Sequence, residues 1–209
     1  MIFEHVLIAP QEIKIRPSEY DGKKIETPAD HKSEQANIAA LLQVNKQTHS
    51  ETKKLLYGMN TFSFSAGIVE GLNASALRAF LDSVAKENLA CIQRIAISPY
   101  LPRRAWAGVG RRGEEADELE CMARSVVKHL AGVQNVELNL DGPYGPPVRR
   151  CPAVRIEKRS GNVRKVKKAL RALRERDGLK VLLRAGAWLN KGKLMEVLGE
   201  ENFSWVVEN

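Results

Sequence analysis

The chain has 209 residues, of which 44% are hydrophobic and 28% charged, and a formal net charge of +8. That length suits one domain with a single core and no need of disulfide or metal staples, and the composition is that of a globular protein. No apolar run approaches the roughly 20 residues that span a bilayer. Cys91, Cys121 and Cys151 are odd in number, far apart and without a Cys-x-x-Cys pair, which argues against a disulfide framework and against a zinc site.

The opening MIFEHVLIAPQEIKIRP has Glu4 and His5 inside its apolar start, so no secretory leader is expected and the predicted location is cytoplasmic or nuclear. Residues 1 to 7 read as the end of a helix, and PQEIKIRP as an extended segment bounded by prolines. Residues 17 to 35 are polar, contain Gly22 and Pro28, and predict an exposed loop. From Ala36 the pattern turns helical: Ile38, Leu41, Leu42, Asn45, His49, Thr52, Leu55 and Leu56 recur at steps of three and four, with Gly58 as the expected stop. The alternation of Thr61-Phe62-Ser63-Phe64-Ser65 predicts a strand.

A helix-then-strand unit follows three times. Leu77, Phe80, Leu81 and Val84 share one helical face, with Asn73 as an N-cap candidate, before Ile92, Ile95 and Ile97. Glu114, Glu115 and Asp117 open a second helix, with Leu119, Met122, Val126 and Leu130 inward, before Val133, Val136, Leu138 and Leu140. Val163, Val166, Leu170 and Leu173 form the third seam, ended by Gly178 and followed by LKVLL. Aligning Ile95, Val136 and Val181 gives spacings of 41 and 45 residues, too irregular for a strict repeat but suited to related units. Strands joined by helical crossovers run parallel with right-handed connections.

The expected fold is therefore α/β: irregular helix-strand repeats forming a small parallel sheet, leucine-rich-repeat-like or open α/β. Its strands are expected near 61 to 65, 92 to 98, 135 to 140 and 179 to 183. The helix at 36 to 57 should cap one end, and Phe203 to Val207 could add an edge strand. Trp188 and Trp205 read as core or cap residues. One domain is expected over 1 to 209, with residues 1 to 65 preceding the repeats of 66 to 209.

Candidate chemistry is sparse. His49, Ser50 and Glu51 are adjacent on a helix, where neighbours point about 100° apart and do not face one another, so no triad is expected and no Gly-x-Ser-x-Gly elbow accompanies them. His5, His31 and His129 are isolated. GVGRRG at 108 to 113 lacks the Lys-Ser/Thr ending of a phosphate loop and reads as a flexible basic loop, and DGPYGPP at 141 to 147 reads as a turn. No catalytic, cofactor or metal residue is assigned.

Charge is the informative feature. Residues 1 to 100 balance 11 basic against 11 acidic residues, whereas residues 149 to 193 hold 16 basic residues against Glu157, Glu175 and Asp177. Arg164, Lys165, Lys167, Lys168, Arg171 and Arg174 lie opposite the apolar seam of their helix, preceded by Arg149, Arg150, Arg155, Lys158 and Arg159. These are the candidate contacts for an anion or a nucleic acid; with aromatics scarce, backbone contact rather than base stacking is expected. A solvated helix face is the competing reading.

ALLQVNKQTHSETKKLLYGMNTFSF resembles a pattern of filamentous-fungal proteins in which a Leu-Leu-x-Val-Cys-Arg-Gln helix leads to Leu-Leu-Tyr-x-x-Asn-Thr-Phe and a strand. The shared positions are Leu41, Leu42, Val44, Gln47, Glu51, Leu55, Leu56, Tyr57, Asn60, Thr61, Phe62 and Phe64, while Asn45 and Lys46 stand where Cys and Arg are usual. RAFLDSVAKENLACIQRIAIS is similar to the same family's next helix and Ile-x-x-Ile-x-Ile strand, and MIFEHVL to the second half of its F-box-like opening. The resemblance covers roughly residues 1 to 100. It implies an F-box-like scaffold, whose opening motif docks on the Skp adaptor of a ubiquitin ligase while the repeats hold a substrate protein. The combined expectation is a non-catalytic protein-interaction scaffold with a protein partner, and nucleic-acid binding through 149 to 193 as the alternative.

Overall fold

A computed structural model describes residues 12–15, 19–20, 23–24, 46–64, 72–99, 101, 118–140, 156–158, 160–185, 189–199 and 204–206. Its elements are β1 (Ile13–Ile15), β2 (Glu19–Tyr20), β3 (Lys23–Lys24), α1 (Lys46–Met59), β4 (Thr61–Phe64), α2 (Leu72–Ser83), α3 (Lys86–Leu89), β5 (Arg94–Ile97), α4 (Glu118–His129), β6 (Asn135–Asn139), α5 (Gly161–Leu173), β7 (Lys180–Arg184), α6 (Lys191–Leu198) and β8 (Ser204–Val206).

Six of the strands form one parallel sheet in the order β1-β4-β5-β6-β7-β8. This is the expected α/β alternation of helices with a parallel sheet, and the described strands enter it in chain order without reversal. The three residues aligned by sequence, Ile95, Val136 and Val181, are register neighbours across β5, β6 and β7, with Phe62 and Ile13 continuing the row. A second row, Ile15, Phe64, Ile97, Leu138 and Leu183, runs parallel to it.

Both rows belong to the core, together with Leu77 and Phe80 of α2, Leu119, Met122 and Val126 of α4, Val163, Val166, Leu170 and Leu173 of α5, and Leu194 and Val197 of α6. The apolar periodicity of each helix meets the period-two alternation of the strands on one side of the sheet. Phe80 packs its ring 5.4 Å from that of Phe62 and 5.5 Å from that of Phe64, and Tyr57 stacks on Phe62 at 5.8 Å, which ties α1 and α2 to β4.

Several local expectations are corrected. The segment around Ile13 is not merely extended: it pairs with β4 and forms the outermost strand, so β1 rather than the helix before β4 closes that side of the sheet. The expected loop of 17 to 35 contains a short antiparallel pairing of Glu19–Tyr20 with Lys23–Lys24. Gly58 does not stop α1, which runs to Met59; the side-chain amide of Asn60 donates to the Leu56 carbonyl at 2.8 Å and satisfies the helix end instead. Asn73 lies inside α2 and donates from Nδ2 to the Ser98 carbonyl at 3.3 Å, so it ties the helix to the end of β5 rather than capping it.

The third helix ends at Leu173, five residues before Gly178. Arg174, Glu175 and Arg176 close it by backbone bonds to Leu170, Ala172 and Leu173, and Gly178, at φ 75°, makes the left-handed turn toward β7. Ser160 and Asn190 cap α5 and α6 by accepting from the backbone N–H of Val163 and of Lys193. The stretch 1 to 11, residues 36 to 45 of the expected first helix, Glu114 to Asp117, both glycine-rich loops and Trp188 lie outside the described residues.

Candidate functional site

The sheet has a second face, made by the residues that alternate with the core rows. Register places Thr61, Arg94, Asn135 and Lys180 side by side in one row across β4 to β7. The next row holds Lys14, Ser63, Ala96, Glu137 and Leu182, and a third pairs Asn139 with Arg184. Ser63 and Ala96 are small and buried, whereas Lys14, Arg94 and Lys180 are exposed and Asn135, Glu137, Leu182 and Arg184 are half-buried. No core helix residue belongs to these rows. Among the described residues, the helices of the core pack against the other face of the sheet.

Within this face Arg184 grips Glu137: Nε lies 3.0 Å from Oε1 and Nη2 donates to Oε2 at 3.3 Å. One hydrogen bond, from Nη2, and the close Nε approach make this an ion pair whose charges offset each other locally. Arg94 on β5 and Lys180 at the start of β7, the strand of Arg184, lie in the preceding row with Asn135 between them.

The predicted basic residues divide into three groups. Arg149, Arg150, Arg155 and Arg159 lie outside the described residues, and Lys158 is exposed in the turn before α5. On α5, a rotation of about 100° per residue gathers Arg164, Lys167, Lys168, Arg171 and Arg174 into an arc of about 120°, with Lys165 on its flank. Lys168 Nζ sits 3.7 Å from Glu120 of α4, whose carboxylate is 2.9 Å from Arg124, which in turn reaches Glu175 at 3.6 Å. One end of the arc is therefore joined to a surface ion ladder between α4 and α5. The hydrogen bonds that Arg124 donates to Glu120, then the charges of Glu175 and Glu120, raise the Arg124 pKa and hold its positive charge firmly.

A groove of about 630 Å³ runs between α2 and α4, floored by Leu77, Leu81 and Met122 and rimmed by Arg78, Lys86 and Lys128. Cys121 and His129 both line it, but they stand eight residues apart on one helix, about 12 Å along its axis, too far for a thiol and its base. Cys121 is exposed and Cys91 half-buried, and both are free thiols. Ser50 and Glu51 are exposed on α1, next to His49 in the chain. Among the described residues no three His, Cys, Asp or Glu side chains converge in a way that could hold a metal ion, and no helix is long and apolar enough to cross a membrane.

The cationic arc of α5 was readable because helical periodicity is local. The Arg94-Asn135-Lys180 row was not singled out, because its members are 41 and 45 residues apart and only the register unites them. The alternation of each strand was the available signal: every polar residue between two core residues had to point away from the helices. No protein-family model, curated protein or solved structure matches this chain.

Proposed function

We propose that this chain is a non-catalytic scaffold that holds another protein on the helix-distal face of its sheet, in the manner of a substrate receptor. The observation that carries the reading is the set of in-register polar rows on that face, with Arg94 and Lys180 exposed on rigid strands around the Glu137–Arg184 pair. Stacked helix-strand units generate broad binding surfaces of this kind, and side chains on strands hold their positions better than side chains on loops. The F-box-like resemblance of residues 1 to 100 supports the receptor reading, while the adaptor-docking opening falls outside the described residues.

The test is affinity capture from an extract of the source organism, with wild type and Asn135→Trp side by side. A set of proteins held by wild type and lost with the tryptophan, in a variant that melts at an unchanged temperature, supports the reading. Equal capture by both proteins, or no reproducible capture by wild type, counts against it.

A second reading is favoured by one observation, the single-sign arc on α5. Five cations within about 120° of a helix surface suit the phosphates of a nucleic acid, contacted through the backbone with little base preference.

A further inference from the structure

We infer that the groove between α2 and α4 binds a small polyanion that carries hydroxyls, a compound of the sugar- or polyol-phosphate class. This is independent of the scaffold reading, which uses the sheet. All the residues lining the groove are described, and its rim is open: Arg78, Lys86 and Lys128 are exposed, as are Asp82 and His129. Its volume of about 630 Å³ falls among those of small-molecule sites, roughly 300 to 1,000 Å³.

Charge selects the ligand. Against its three cations the lining sets one acid, Asp82, a turn after Arg78 on α2. The excess therefore falls on Lys86 of α3 and Lys128 of α4, on opposite walls. Among the described residues neither lysine, nor Arg78, has a carboxylate within ion-pair distance, whereas Arg124 and Lys168 of the neighbouring ladder both hold Glu120. A cleft lined by one sign of charge concentrates counter-ions, and an anion here is held from both sides.

A lysine in the last turn of a helix commonly complements the negative end of the dipole, and Lys128 stands there on α4. That place is already taken: the Arg176 guanidinium donates to the carbonyls of Leu130 and Ala131. Lys128 is left to serve a charge from outside the chain.

The floor decides against a lipid. Leu77 and Met122 are each 1% exposed and Leu89 5%, so an apolar body would remove little further surface from water. Polar groups are what the cavity offers instead. The Ser125 hydroxyl and the His129 imidazole line it with Lys128, and the Asp82 carboxylate accepts where the lysines donate, which suits hydroxyls and phosphates on one molecule. These groups converge from three elements on a space about 12 Å long, the rise from Ala74 to Asp82, so a compact ligand fits better than a polymer.

The experiment is isothermal titration calorimetry of the full chain with fructose 1,6-bisphosphate and with inositol 1,4,5-trisphosphate. Fructose, inorganic phosphate and a single-stranded RNA serve as comparisons. At about 50 mM salt at least one of the two polyol phosphates should bind, more tightly than inorganic phosphate and more weakly at about 200 mM, and fructose should not bind. Lys86→Gln and Lys128→Gln should each weaken it roughly two- to fivefold, as exposed ion pairs do, and Ser125→Glu, which sets a second acid in the groove, should weaken it further. Arg164→Gln with Arg171→Gln, on α5, should leave the affinity unchanged, and every variant should melt with wild type.

The inference is overturned if neither polyol phosphate binds at about 50 mM salt, if inorganic phosphate binds as tightly as both, or if the α5 substitutions weaken binding as much as those in the groove. Tighter RNA binding that is lost with Lys86→Gln and Lys128→Gln also overturns it, assigning the groove to a polymer.

Discussion

Glu118, the first residue of α4, accepts through Oε1 from the backbone N–H of Ala74 in the first turn of α2, at 3.0 Å. The carboxylate is buried, and it meets a donor that has no partner within its own helix. One unit of the fold thus caps the helix of the preceding unit. Replacing Glu118 with Gln keeps an accepting oxygen and should cost under about 1 kcal/mol, whereas Glu118→Ala should cost about 1–2 kcal/mol by leaving that N–H unpaired. Urea unfolding of the two variants checks the contrast, and equal losses would place the effect in packing alone.

Gly132 follows α4 where the chain crosses close to the preceding unit. A Cβ built there would stand 2.8 Å from the carbonyl carbon of Ala90 and 2.9 Å from the carbonyl oxygen of Ile92. Both neighbours are backbone and cannot swing aside. Gly132→Ala should therefore destabilise by about 3 kcal/mol, lowering the thermal midpoint clearly, while Gly161→Ala, whose Cβ would meet open space, should change it little.

Arg176, in the turn after α5, donates from its guanidinium to the carbonyls of Leu130 and Ala131 just beyond α4. These carbonyls carry the negative end of the α4 dipole, and the cation complements it. Arg176→Ala should cost about 1.5–3 kcal/mol as a lost charged hydrogen-bond set, and Arg176→Lys should restore only part because one ammonium cannot fork to both oxygens. Denaturation midpoints order the three proteins.

Tyr57 has its pKa raised above the ordinary value of 10.0, chiefly by burial, with a hydrogen bond to Asn88 acting in the opposite direction. The neutral phenol is therefore favoured by folding. Its contribution to stability is complete below the unfolded value and is lost as pH rises through the folded one. As pH rises above 10.0, wild type should lose more stability than Tyr57→Phe, whose ring keeps the stacking on Phe62 without an ionisable group.

The arc on α5 makes its own prediction. If it contacts phosphates, duplex DNA or RNA should bind far more tightly at about 50 mM than at about 200 mM salt, and Arg164→Gln with Arg171→Gln should flatten the salt slope by about two ion equivalents. Anisotropy titrations with that variant decide it. An unchanged slope assigns the arc to solvation.

The sequence made the repeating units legible because each is a local pattern: apolar steps of three and four, then apolar alternation. That sufficed to bring Ile95, Val136 and Val181 into line, and the inward residues of α4 and α5 are those its periodicity named. What it concealed depends on distance along the chain. Ile13–Ile15 gains its partner only through pairing with residues about fifty positions on, and nothing in three residues announces that. Gly58 and Asn73 carried ordinary end signals that were overridden, in one case by the Asn60 side chain and in the other by a strand end. The polar rows of the sheet were hidden for the same reason as β1. Arg94, Asn135 and Lys180 look like unremarkable solvated positions until the register sets them in a row.

Since every strand of the large sheet borders only the strand made before it and the strand made after it, the width of the palm is a matter of how many rungs the chain lays down. A duplicated helix-strand unit spliced ahead of α5 would enter as one more rung and carry β7 and β8 outward by about 4.8 Å, without obliging β1, β4 or β5 to find new neighbours. A chain of this design can widen its sheet by gene duplication alone, each new rung bringing its own two or three polar residues.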